Sequence, residues 1–147
     1  MARSPGAGGY AGFVARWRRS GRVALTTPTR RLTYAEWADR GDELARALMA
    51  RGLDAPARVA TLLPNGPELL IALYACARAG ITLVPLSTWS TLDEVLRVLD
   101  AADPELVLTS DQFPGTTTVL AANFAVDILI GLLDPRIRAA QVAEASS

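Results

Sequence analysis

Short apolar runs alternate with longer amphipathic stretches along most of the chain. Three of the runs are continuous and apolar, as in strands covered on both faces of a parallel sheet. They are Arg58–Leu63, Ile81–Val84 and Leu106–Thr109. The stretches between them have apolar residues at three- and four-residue spacing, which indicates helices. This alternation predicts right-handed crossovers in an α/β fold, part of a doubly wound parallel sheet with flanking helices.

Capping signals and glycines set the bounds of the predicted helices. These helices are Tyr10–Arg19, Tyr34–Arg51, Pro67–Ala79 and Leu92–Ala102. Thr33 with Glu36, and Thr91 with Glu94, have the spacing of a capping box in front of the second and fourth helices. The second helix has an apolar stripe at Trp37, Gly41, Leu44 and Leu48. The third is apolar on nearly every side, which predicts burial on more than one face.

The N-terminal part of the chain contains a second sheet signal. Arg22–Thr26 and Arg31–Thr33 flank a turn that begins at Pro28, and this pattern predicts a hairpin. In the preceding helix, the three arginines Arg16, Arg18 and Arg19 are typical of a solvated helix face.

The C-terminal part of the chain is less regular. We expect Pro114–Thr118 to be a threonine-rich linker and the apolar run Val119–Leu133 to be a helix that ends before Pro135. A short second helix is predicted at Arg136–Ala143. The predicted organisation is a leader with a short helix (1–21), an α/β subdomain (22–113) and a C-terminal segment that is helical (114–147).

Composition removes several classes of function. The chain has fifteen arginines, fifteen acidic residues and a net charge of zero, so nucleic acid is not an expected partner. It has no lysine to contact a phosphate and no histidine to act as a base or metal ligand. Cys76 is the only cysteine and lies in an apolar stretch, which is typical of a buried structural thiol.

The longest apolar run is too short for a membrane span. Val119–Leu133 falls below the ~20 apolar residues that a spanning helix requires. No secretory signal is visible at the N-terminus, which lacks a long apolar run. We therefore expect a cytoplasmic protein without a membrane partner.

Three motifs carry a family resemblance. They are Leu32–Trp37 (LTYAEW), Leu63–Glu68 (LPNGPE) and Ala77–Ser87 (ARAGITLVPLS). In order and spacing they resemble the opening of the AMP-forming adenylating enzymes, which include acyl-CoA synthetases, luciferases and the adenylation domains of peptide synthetases. The resemblance covers about Val23 to Phe113 and fades afterwards. Trp37 departs from the usual Leu, and Ser87-Thr88 is similar to the acyl-CoA and aryl-CoA ligase branch.

In that family these motifs are structural. The resemblance implies that Thr33 and Glu36 cap a helix, and that Gly80 and Pro85 shape the ends of a helix and a strand. The family places its phosphate loop, its ribose and metal ligands and its catalytic lysine later in the chain. Pro114–Thr118 is not followed by the glycines and lysine of that loop. No catalytic, cofactor-binding or metal-binding residue is therefore assigned here.

The resemblance implies a truncated or remnant N-terminal portion of an ATP-dependent, AMP-forming carboxylic acid–CoA ligase. An intact relative would use ATP, Mg and CoA, whereas this chain alone is expected to bind no cofactor and to be inactive. Two alternatives remain: a non-enzymatic α/β interaction module and, with less support, a ligand-binding module. Exposed apolar surface, above all on the helix Pro67–Ala79, predicts self-association or a protein partner.

Overall fold

A computed structural model describes residues 9–110, 112–113 and 127–130 of the 147-residue chain. The helices are α1 (Tyr10–Trp17), α2 (Tyr34–Ala50), α3 (Pro67–Ala79) and α4 (Leu92–Ala102). The strands are β1 (Val23–Thr26), β2 (Arg31–Thr33), β3 (Arg58–Leu62), β4 (Thr82–Pro85), β5 (Leu106–Thr109) and β6 (Asp127–Ile130). The chain divides into two compact units. The first is Met1–Ala57 with Asn65–Leu83, and the second is Arg58–Pro64 with Val84–Ser147.

The larger sheet has the strand order β4-β3-β5-β6. Strands β3 and β5 pair in parallel from Val59↔Leu106 to Leu62↔Thr109. Strands β5 and β6 also pair in parallel, with Leu106 opposite Asp127. Since β3 lies between β4 and β5, the connection through α4 crosses over β3. The predicted α/β fold with a parallel sheet is confirmed.

The predicted hairpin is confirmed as well. Strands β1 and β2 pair antiparallel, with Leu25 opposite Leu32 and Thr26 opposite Arg31. The amide of Thr27 donates a hydrogen bond to the carbonyl of Arg30 at 2.7 Å and closes the turn. The hydroxyl of Thr27 donates to the same carbonyl at 3.1 Å, so a single side chain reinforces the turn.

The C-terminal helix prediction is wrong where the structure describes it. Asp127–Ile130, inside the run Val119–Leu133, forms strand β6 instead of a helix turn. A short apolar run fits a buried strand as well as a helix, and pairing with β5 decides between them. The rest of that run, the linker Pro114–Thr118 and the predicted helix Arg136–Ala143 lie outside the described residues. The three-part division of the chain at residues 21 and 113 stays a prediction.

In the first unit, α2 packs against α3. The predicted stripe of α2 is buried in full: Trp37, Gly41, Leu44 and Leu48. Helix α3 is buried over more than half of its circumference, as predicted, by Pro67, Ile71, Ala72, Tyr74, Ala75 and Cys76. The indole Nε1 of Trp37 donates to the carbonyl oxygen of Leu70 at 2.8 Å and links the two helices.

In the second unit, α4 covers the sheet through a small apolar core. Its members are Ala60, Leu62, Leu86, Val95, Leu99 and Val107. Leu92, Val95, Leu96 and Leu99 have the three- and four-residue spacing of an apolar helix stripe. Val95 and Leu99 are buried and Leu96 is partly buried, whereas Leu92 is 39% exposed. The N-terminal turn of α4 thus reaches beyond this core. Among the described residues, no helix is long and apolar enough to cross a membrane.

Candidate functional site

The first motif, Leu32–Trp37, forms the start of α2. The amide of Glu36 donates to Thr33 Oγ1 at 3.2 Å, and the amide of Thr33 donates to Glu36 Oε2 at 2.8 Å. Both halves of the predicted capping box are present. The hydroxyl of Thr33 also donates to Glu36 Oε2, at 2.9 Å, and the two hydrogen bonds that the carboxylate accepts from Thr33 lower the pKa of Glu36. Both side chains are therefore engaged in capping the N-terminus of the helix.

The second motif, Leu63–Glu68, forms the turn into α3. Pro67 occupies the first turn of the helix, where its missing amide hydrogen costs nothing. The carboxylate of Glu68 accepts a hydrogen bond from Arg30 at 3.2 Å, which ties the hairpin turn to this helix. An acidic residue in the first turn also complements the helix dipole.

The third motif, Ala77–Ser87, ends α3 and leads through β4. Gly80 has φ of +72°, a left-handed conformation that favours glycine. Its amide donates to the carbonyl of Cys76, and the amide of Ile81 donates to the same oxygen at 2.9 Å. The residues of this motif thus act as a helix stop, as the resemblance implied.

A tight turn joins β4 to α4. Ser87 accepts from the amide of Trp89 at 3.2 Å through its hydroxyl, and from the amide of Ser90 at 3.2 Å through its carbonyl. The capping box of Thr91 and Glu94 then starts α4. This hydrogen-bonded turn holds Trp89 with 94% of its surface exposed.

A charged cluster around Asp42 on α2 was not predicted from the sequence. Its carboxylate accepts from Arg18 and Arg78, each at 3.0 Å, and from the hydroxyl of Tyr74 at 3.4 Å. Arg18 also pairs with Asp39, and like Arg16 and Arg19 it stays exposed, as predicted. Burial, and secondarily the charge of Asp42, raises the pKa of Tyr74. The cluster joins α1, α2 and α3, which no local spacing could have revealed.

Aromatic rings join α1 to the start of α2. Tyr34 stacks on Trp37 at 5.9 Å between centroids and meets Phe13 edge to face at 6.2 Å. The guanidinium of Arg22 lies 5.3 Å from the centroid of the Trp17 ring. Desolvation raises the pKa of Tyr10 to about 12, so its phenol stays protonated. These ring contacts pack α1 against the start of α2.

The remaining reactive groups are also placed for structure. Cys76 is buried, and desolvation raises the pKa of its thiol to about 12, which keeps it from acting as a nucleophile. Within the described residues, no group of three or more His, Cys, Asp or Glu side chains could hold a metal ion. That the chain has no catalytic, cofactor-binding or metal-binding residue stays a prediction.

The fold is of the α/β class. It has an open parallel sheet with crossover helices, and a hairpin and a capped helix come before that sheet in the chain. The model of the family "AMP-binding enzyme" matches residues 14–144. The chain therefore belongs to the AMP-binding enzyme family. The matched range continues past Phe113, although the three quoted motifs end before it.

Individual relatives support the same assignment. The chain is 35% identical over 103 residues to a feruloyl-CoA synthase of Amycolatopsis, a match that covers 70% of this chain and 21% of that protein. It superposes on a long-chain-fatty-acid CoA ligase of Rhodopseudomonas palustris with a TM-score of 0.74 and 26% identity. That match covers 82% of this chain and 32% of the other.

The part of the family fold to which the chain corresponds is also clear. It superposes on the N-terminal subdomain of NpsA from Klebsiella oxytoca, solved with 3-hydroxybenzoyl-AMSN, with a TM-score of 0.68 and 27% identity. That match covers 85% of this chain and 30% of the other. The chain thus corresponds to the N-terminal region of these enzymes and spans about one fifth to one third of their length.

Proposed function

We propose that these 147 residues are the N-terminal scaffold of an ATP-dependent, AMP-forming carboxylic acid–CoA ligase of the cytoplasm. In this proposal they are a truncated or remnant portion that supplies none of the groups acting on ATP. An intact relative would use ATP, Mg and CoA. The chain alone would not form an acyl-adenylate.

One observation carries the proposal: the polar residues of the family motifs are engaged in local structure. Thr33 and Glu36 bond to each other, and Glu68 bonds to Arg30. Adenylyl transfer draws much of its rate from preorganised positive charge at the phosphates. The chain has no lysine to provide that charge.

A chimera tests the scaffold role. The aligned segment of the Amycolatopsis feruloyl-CoA synthase would be replaced by the matching residues of this chain. We expect ferulate-dependent pyrophosphate–ATP exchange to stay within about tenfold of the parent enzyme, about 1.4 kcal/mol of barrier, since the catalytic groups come from the recipient. A folded chimera that loses the exchange more than a thousandfold would refute the scaffold role.

The chain alone provides the complementary test. We expect no acid-dependent pyrophosphate–ATP exchange above that of a Thr33→Pro control, with the intact feruloyl-CoA synthase as the positive control. Exchange by the parent chain, lost in the control, would show that it holds catalytic groups and would overturn the proposal of inactivity.

A second candidate, a non-enzymatic interaction module, is favoured by Trp89. A tryptophan exposed to 94% on a hydrogen-bonded turn is an unusual surface residue, and tryptophan is enriched among the residues that dominate protein interfaces. If this candidate is correct, a Trp89→Ser variant will keep its fold and lose a binding partner, while the chimera bearing it keeps its exchange activity.

A further inference from the structure

The two units carry opposite charge, although the whole chain is neutral. Within the described residues, the first unit has ten arginines and six acidic residues, a formal charge of +4. The second unit has two arginines and six acidic residues, a formal charge of −4. A neutral chain with this separation can attract a second copy of itself without a net repulsion.

The positive unit presents an apolar surface bordered by arginine. Phe13 on α1 is 52% exposed, and Val23 at the start of β1 is exposed as well. Arg16, Arg19 and Arg22 are exposed close by in the chain. Ring contacts hold these parts together, because Trp17 touches both Tyr34 and the guanidinium of Arg22. We call Phe13, Arg16, Arg19, Arg22 and Val23 the α1 patch.

The negative unit presents an apolar surface bordered by carboxylates. Val98 is 44% exposed, and Ala101 follows it at helical spacing on the outside of α4. Asp93, Glu94 and Asp100 are exposed on the same helix. Arg97 donates through its Nε to the carbonyl of Asp93 at 3.3 Å, so its side chain lies along its own helix. We call Asp93, Glu94, Val98, Asp100 and Ala101 the α4 patch.

We propose that the α1 patch of one copy docks on the α4 patch of a second copy. The α1 patch combines exposed apolar atoms with positive charges. The α4 patch combines them with three carboxylates, and it keeps a net negative charge although Arg97 lies on the same face of the helix. Burial of Phe13 and Val23 against Val98 and Ala101 supplies the hydrophobic gain, and the surrounding charges set the orientation and exclude the like-charged pairings. A contact between two different surfaces is heterologous, so it builds rings or filaments unless a second contact closes it.

Salt and concentration give the first test. Sedimentation velocity of the full chain, from low micromolar to several hundred micromolar, should show a mass that rises reversibly with concentration. Raising the salt from about 0.02 M to about 0.5 M should weaken the association at least tenfold, because screening acts on exposed charges. A monomer at every concentration, or an association that salt leaves unchanged, would overturn the proposal.

Charge reversal tests the two patches separately. Arg16→Glu/Arg19→Glu and Asp93→Arg/Asp100→Arg should each weaken self-association at least tenfold. An equimolar mixture of the two variants should associate again, because the reversed α1 patch of one then faces the reversed α4 patch of the other. Failure of the mixture to associate, with both variants folded by circular dichroism, would show that these patches do not meet.

A matched variant controls for total charge. Arg31→Glu/Arg46→Glu makes the same change in net charge at exposed positions outside the α1 patch. It should leave the association within about twofold of the parent, because neither arginine belongs to the proposed contact surface and salt screens charges outside it. A loss as large as that of Arg16→Glu/Arg19→Glu would mean that net charge, and not the α1 patch, governs association.

Discussion

Replacing Gly41 by alanine should destabilise the first unit through a single steric conflict. A Cβ at this position would lie 2.2 Å from Cδ1 of Tyr74 and 3.0 Å from its Cε1, where ordinary contacts begin near 3.4 Å. The ring cannot easily yield, because Tyr74 is 1% exposed and its hydroxyl bonds to Asp42. Gly41 therefore sets how closely α2 and α3 approach.

Two effects of opposite sign decide the magnitude. Alanine improves helix propensity by about 1 kcal/mol over glycine. Overpacking of a well-packed core costs typically ~1–3 kcal/mol, and a contact more than 1 Å too short falls at the upper end. We therefore expect a net loss of about 2 kcal/mol in the free energy of unfolding.

Urea unfolding followed by far-UV circular dichroism measures this change, as a lower midpoint at constant slope. In a Tyr74→Leu background the ring is gone, so the cost of Gly41→Ala should fall below ~0.5 kcal/mol, and the difference is the coupling energy. Gly52→Ala is the matched control, because nothing lies within 4 Å of its Cβ and only its φ of +80° resists the change. A parent-like or higher midpoint for Gly41→Ala would refute the steric account.

Four further predictions concern other contacts. Thr33→Ala should cost ~1 kcal/mol by removing the cap of α2; equal midpoints would mean that the cap contributes nothing. Because folding lowers the pKa of Glu36, its carboxylate stabilises the fold at pH values above the ordinary glutamate pKa. The free energy of unfolding should therefore fall as the pH drops below about 4.5, and it should fall less steeply in Glu36→Gln. Cys76, with its pKa raised to about 12, should react with a thiol reagent at pH 8 only after unfolding in urea, and fast labelling of the folded chain would contradict its burial. Trp37→Phe should cost ~1 kcal/mol through the lost hydrogen bond to Leu70, and an unchanged urea midpoint would show that this bond adds no stability.

Local signals predicted most of the fold. The bounds of α3, α4 and β5 agree with the structure, because a first-turn proline, a capping box and a short apolar run are each recognised within a few residues. Helix α1 ends at Trp17, two residues earlier than predicted, and β4 is displaced by one residue. Such differences at element ends follow from fraying and from tertiary contacts.

The features that could not be predicted from the sequence depend on contacts between residues far apart in the chain. Strand β6 needs β5 beside it, and the run around Asp127–Ile130 fits a helix equally well when taken alone. The cluster at Asp42 joins residues that are 24 and 36 positions away in the chain. The exposed apolar side chains also lie elsewhere than predicted, on α1, α4 and the Trp89 turn, because α2 shields α3.

The central position of β3 in its sheet has a consequence for the order of folding. Its parallel neighbour β5 enters the chain 47 residues later, counting from Val59 to Leu106. Until β5 is available, β3 lacks that neighbour and the buried face of α4, with Val95 and Leu99, lacks part of its cover. Pairing of strands so far apart in the chain costs loop-closure entropy before the strand contacts form. We therefore expect the sheet of the second unit to form late and slowly. On the ribosome, the first unit gains its α2–α3 packing once α3 has emerged. Until β5 follows, β3 keeps one open edge that chaperones can bind.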